Sequence, residues 1–180
     1  MPKFKDIKPF TRYPHYCVDV SLDFFVNHID RYVEEFGLDL NPDFQRGHVW
    51  TEDKQIAFVE FLIKGGNSCK TLFFNQPYWM NWRREDMSGW DDTDRMVLVD
   101  GKQRIEAIRR FMLNEIPVFG YCRDEYEDQS FLLRPTMEVR INDLTSRVEV
   151  LQWYLDLNTG GVVHTPEEIE KVKQLLEQEK

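Results

Sequence analysis

Cysteine is scarce in this chain and widely scattered. Cys17, Cys69 and Cys122 form no CxxC pair among 180 residues. That excludes a zinc knuckle and a disulfide-stapled scaffold, and it fits reduced, cytoplasmic thiols. Long apolar runs are missing too. Nothing approaches the roughly 20 residues of a membrane span, and the opening stretch MPKFKDIKPFTRYPHY lacks the unbroken apolar segment of a secretory signal. The four histidines, His15, His28, His48 and His164, share no metal-ligand spacing, so no zinc site is expected. Positive charge is in deficit: 23 Lys and Arg stand against 32 Asp and Glu, a net charge of -9. This is the wrong sign for a protein that coats itself in nucleic acid nonspecifically. It leaves room for a local basic cleft, for simple solubility, or for an acidic surface that mimics DNA.

What is present argues for a folded core. Hydrophobic residues at 42% and aromatic residues at 14% exclude a disordered chain, and this length suits one hydrophobic core. The expectation is a single soluble globular domain over residues 1–180, without internal repeats.

Local patterns divide the chain into elements. Leu22, Phe25, Val26, Ile29, Val33 and Phe36 recur at helical spacing, with Asp19 or Ser21 as N-cap and Gly37 just past the end. Leu38 to Trp50, LDLNPDFQRGHVW, reads as a short strand followed by a structured loop. Thr51 caps a helix to about Lys64, with Ile56, Val59, Leu62 and Ile63 inward, and the strand TLFF follows. Residues 77–94 form an insertion loop in which Trp79, Trp82 and Trp90 alternate with charges, including Arg83 and Arg84. Such a loop serves either as an apolar flap or as a stacking surface for unpaired bases. MVLVD is a buried strand leading through Gly101 into a helix marked by Ile105, Ile108, Phe111 and Met112. IPVF and MEVRI read as further strands, Ser146 to Leu157 as a helix, and Thr165-Pro166 as the capped start of a last helix that docks on the domain through Ile169, Val172, Leu175 and Leu176.

The strand-to-helix turn DGKQR, Asp100 to Arg104, is the leading site candidate. A helix start presents unpaired amides and the positive end of the helix dipole, a combination that favours phosphate. Gly101 permits close approach, Arg104 offers a two-pronged guanidinium, Lys102 adds a second cation, and Asp100 can hold a metal or orient Arg104. The plainer alternative makes Asp100 a helix cap and Arg104 and Glu106 surface charges. The polar, aromatic loop containing Gln45, Arg46 and His48 supplies a second arginine-bearing turn.

Taken in order, NPDFQRGHVW, TEDKQIAFVEFLIKGG, VLVDGKQRIEAI, IPV and DLNTGGVVHTPEEI resemble the ParB and sulfiredoxin-like superfamily. Within it, the chain is similar to the family that forms the N-terminal part of GmrSD-type modification-dependent restriction enzymes, over residues 38–172. The family's glutamine-arginine pair matches Gln45 and Arg46, and its DGQQR signature matches Asp100, Gly101, Gln103 and Arg104. Lys102 departs from it, since glutamine is usual there. Asn158 and Gly161 fall on a late motif that resembles a wall of the same pocket.

The resemblance implies binding of a nucleoside triphosphate (ATP, GTP or CTP) with magnesium, with hydrolysis in some members and phosphoryl transfer or nuclease activity in wider relatives. The expected architecture is α+β, a small mixed sheet flanked by helices, with one pocket between the first loop and the DGKQR turn. In it, Gly101 and the amides after it, Lys102, Arg104 and Arg46 would hold the phosphates, and Asp100 the magnesium ion. Gln45, Gln103 or Asn158 would meet the base, the sugar or an attacking water, and Glu52 is a candidate base for a hydroxyl acceptor. Two rival classes stand beside hydrolysis: a phosphotransferase acting on a hydroxyl of a modified base or small molecule, and a noncatalytic module that binds DNA or a partner protein. The restriction enzymes carry a second, histidine-rich nuclease domain, so a self-contained DNA-cutting enzyme is not expected from these 180 residues.

Overall fold

The computed structural model describes residues 16–45, 47, 49–77, 79, 95–159 and 166–179. Four strands, β1 (Tyr16–Ser21), β2 (Thr71–Asn75), β3 (Val97–Asp100) and β4 (Thr136–Asn142), are hydrogen-bonded in the order β1-β4-β2-β3. β1 is antiparallel to β4, β4 parallel to β2, and β2 antiparallel to β3. The sheet is therefore mixed and the fold α+β, as the family resemblance implies.

Period-two alternation sends successive side chains to opposite faces of the sheet. Leu72, Phe74, Leu98, Met137 and Ile141 join one buried cluster with α1 (Leu22–Phe36), α2 (Glu52–Ile63) and α3 (Lys102–Met112). Phe73, Val97 and Val99 face a second cluster built from α4 (Arg147–Thr159) and α5 (Pro166–Gln178). On α5, Val172 and Leu176 are buried, with Ile169 and Leu175 packed beside them, so this helix docks as its apolar stripe predicts.

Local signals set the helix ends. Ser21, not Asp19, caps α1: its hydroxyl accepts the Phe24 amide at 3.3 Å. Gly37 closes that helix in the left-handed region, φ 64°, with its N–H donating to the Tyr32 carbonyl. Thr51 caps α2 by accepting the Lys54 amide at 3.4 Å.

Two strand expectations need correction, and one strand was not anticipated. IPVF is a tight turn: Val118 and Tyr121 exchange backbone hydrogen bonds of 2.8 and 3.2 Å, with Phe119 and Gly120 both at positive φ, 49° and 84°. Ile116 and Val118 are fully buried, so burial without extended pairing imitated a strand. The short strand expected to open the stretch Leu38 to Trp50 is a single bridge from Asp39 to Val97. β1 was not anticipated because it is a half-exposed edge strand with Cys17 and Asp19 alternating against Val18 and Val20.

Buried side chains fix what surrounds the DGKQR turn. Ile105, Ile108 and Phe111 anchor α3 at 3%, 0% and 1% exposure, each such burial contributing roughly 1.5–3 kcal/mol. Asn75 at the end of β2 holds the approach to α4, donating to the Leu144 carbonyl at 3.0 Å and accepting its amide at 2.9 Å. Because Asn75 is only 2% exposed, both halves of its amide need such partners.

Candidate functional site

A cavity of about 570 Å³ opens at the start of α3, where β3 ends. Gln45, the whole Asp100–Arg104 turn and Asn158 line it together, although they come from three distant segments. Arg46, His48 and Gly161 lie outside the described residues, as do Thr165 and residues 80–94. Trp79 lines a different cavity beside α1 and packs edge-on against Tyr16 at 5.9 Å.

Gly101 begins α3 at φ 122°, ψ 4°, a backbone state that L side chains rarely adopt. A Cβ there would also sit 2.4 Å from Leu72 Cδ2. The glycine is thus required by backbone geometry, and an added Cβ would also have to displace the end of the Leu72 side chain. No side chain caps α3, and its first turn carries no acid, whereas α1 and α2 are capped by hydroxyls and have acids in their first turns. Of the three, α3 alone combines an uncapped start with basic first-turn residues, Lys102 and Arg104.

Arg104 bridges two walls of the cavity. Its guanidinium is hydrogen-bonded to the Asp100 carboxylate one turn earlier, and Nη1 donates to the Cys69 carbonyl at 3.3 Å. The Arg104 side chain is 14% exposed and that of Asp100 39%, so the pair is partly shielded but reachable. Cys69 itself is at positive φ, 60°, which turns its carbonyl-bearing segment toward Arg104.

Gln103 is committed to the loop before α2. Its Oε1 accepts the Val49 and Trp50 amides at 2.9 and 3.1 Å, and its Nε2 donates to the Gly47 carbonyl at 3.1 Å. At 8% exposure, it fastens the first loop onto α3. Gln45 donates through Nε2 to the Leu98 carbonyl of β3, and Asn158 through Nδ2 to the Tyr154 carbonyl at 2.6 Å. Among the described residues, the amide oxygens of Gln45 and Asn158 accept no hydrogen bond. Glu52 is held by Arg110 at 2.8 Å and does not line the cavity.

Sequence reasoning missed Lys54, Phe61, Ser68 and Cys69, which line the cavity as well. Lys54 lies over the Trp50 ring, 5.1 Å from its centroid. Among the described lining residues, Lys54, Lys102 and Arg104 oppose one carboxylate, Asp100, so the cavity reverses the sign of the chain's net charge. The run Ala57, Phe58 and Phe61 on α2, which adjoins its core face through Phe58, was the available signal for Phe61.

Together these features define an α+β domain whose cavity opens at an uncapped, basic helix start clasped by an upstream loop. The chain belongs to the family of the GmrSD restriction endonuclease N-terminal domain, whose model matches residues 23–175. No curated protein and no solved structure matches it.

Proposed function

We propose that this cavity binds a nucleoside triphosphate, and that the domain hydrolyses it or transfers its terminal phosphate in a restriction or DNA-modification setting. The setting is inferred from the matched family, a domain of a restriction endonuclease. The observation that carries the binding proposal is the convergence of Gln45, the DGKQR turn and Asn158 on one cavity with a cationic majority. Helix-start amides, Lys102 and Arg104 are suited to phosphate oxygens, and Arg104 is suited to a bidentate contact.

One carboxylate fits magnesium, which characteristically uses one or two carboxylates together with the phosphates of its substrate. Asp100 would hold it, and the ion would supply neutralisation of negative charge on the phosphates. In the free protein Asp100 is paired with Arg104. Engagement of Arg104 by phosphate would release that carboxylate, so the pair works as a preset clamp.

Hydrolysis breaks the bond between the terminal phosphorus and its bridging oxygen: water supplies the new P–O bond of the inorganic phosphate, the nucleoside diphosphate leaves with the bridging oxygen, and the water's proton passes to the released phosphate or to solvent. The amide oxygens of Gln45 and Asn158 are candidates to orient that water. The engagement of Glu52 by Arg110 outside the cavity favours water over a hydroxyl acceptor. The test is titration with ATP, GTP and CTP, each with and without magnesium: binding by the folded protein is expected, and its absence for all three defeats the proposal.

A further inference from the structure

We propose that the α2 wall of this cavity, centred on Phe61, is the platform on which the nucleobase stacks. The inference rests on the reading of the α3 start as the phosphate site. Two stripes run along α2. Gln55, Phe58, Val59 and Leu62 are buried on its inner side, and Lys54, Ala57, Phe58 and Phe61 line the cavity, with Phe58 shared between the two. The second set follows helical spacing i, i+3, i+4, i+7, so it forms one continuous face.

Phe61 is 39% exposed, so part of its surface is open. Its ring rests on the backbone at Gly66, where a Cβ would lie 2.3 Å from the ring atoms. Glycine at position 66 therefore lets the ring seat against the chain while part of its surface stays open to the cavity. Trp50 meets Phe58 edge-on at 5.3 Å, stiffening the same wall. The turn after Gly66 leads to Cys69, whose carbonyl accepts from Arg104. Platform and phosphate clamp are joined through a few residues of chain.

A nucleotide has one flat apolar part and one anionic part, and this cavity offers an aromatic wall and a cationic helix start. Its volume, about 570 Å³, falls within the roughly 300–1,000 Å³ of small-molecule sites. Stacking is tolerant of base identity because every base has a π-face, so Phe61 supplies affinity for nucleotides as a class.

Inorganic tripolyphosphate and nucleoside triphosphates, titrated side by side, test the assignment. Wild type is expected to bind the nucleotides more tightly than tripolyphosphate. Phe61→Ala should weaken the nucleotides roughly 5- to 150-fold, the range for losing one base stack, and leave tripolyphosphate unchanged. Phe61→Trp should preserve nucleotide affinity, and Phe61→Leu, which keeps apolar cover without a ring, should not. Unchanged nucleotide affinity in Phe61→Ala, equal weakening of both ligands, or full affinity in Phe61→Leu overturns the platform while leaving the phosphate site intact. If wild type binds neither ligand, the phosphate site fails and the platform falls with it.

Discussion

Replacing Gln103 with leucine removes three hydrogen bonds while nearly conserving side-chain volume. Those bonds reach Val49, Trp50 and Gly47, and each is worth a net ~0.5–1.5 kcal/mol. Val49 and Gly47 are exposed and Trp50 is half-buried, so water replaces part of what is lost. The expected destabilisation is about 1.5–3 kcal/mol, read by urea unfolding with an unchanged slope. Gln103→Glu keeps an acceptor for both amides but loses the donor to Gly47, and should fall between leucine and wild type. Amide exchange at Val49 and Trp50 should accelerate in the leucine variant. A loss below about 0.5 kcal/mol with unchanged exchange would refute the role of Gln103 as the fastening between the first loop and α3.

Two further predictions concern the turn and the sheet. Gly101→Ala combines a forbidding φ of 122° with a 2.4 Å approach to Leu72 Cδ2, and should cost roughly 1–3 kcal/mol in denaturant unfolding; an unaffected midpoint would refute the geometric requirement. The hydrogen bond from Arg140 holds the Glu138 carboxyl below its ordinary range, outweighing its burial. A depressed folded pKa stabilises above the ordinary value of about 4.3 and is lost as pH falls through the lowered one. Glu138→Gln should therefore flatten the acid limb of the stability curve by of order 1 kcal/mol or less, and an identical limb in both proteins would contradict the assignment.

The parts of this fold legible in the sequence are those whose signals are local. The ends of α1 follow from Ser21 and Gly37 beside an apolar stripe, and α3 follows from a buried strand running through Gly101. Where burial and backbone shape part company, the pattern misleads: Ile116 and Val118 are buried in a turn. β1 escaped because only alternate residues of an edge strand face the core. α2 carries two working faces, and the expectation of one apolar stripe hid Phe61 and Lys54.

Site residues were legible as motifs, but their roles were not. The cavity does gather Gln45, Asp100–Arg104 and Asn158. Yet the Gln103 side chain is bound to backbone more than fifty residues earlier in the chain, and Arg104 to the Cys69 carbonyl. Such contacts depend on tertiary placement, which spacing in DGKQR does not encode. Lys54 sits in the TEDKQIAFVEFLIKGG segment without being singled out there, Ser68 belongs to no motif, and both join the site only through the path of α2 and the turn after it.

The central claim is that the basic, uncapped start of α3 receives the phosphates of a nucleotide, and calorimetric titration of wild type, Arg104→Lys and Arg104→Ala with ATP, GTP and CTP, with and without magnesium, tests it most directly. Wild type should bind at one site. Arg104→Ala should lose about 1.5–3 kcal/mol of affinity, the span of a charge-assisted hydrogen bond, and Arg104→Lys should recover only part of it because the fork is gone. No binding to folded wild type, or undiminished affinity in a folded Arg104→Ala, would contradict the account.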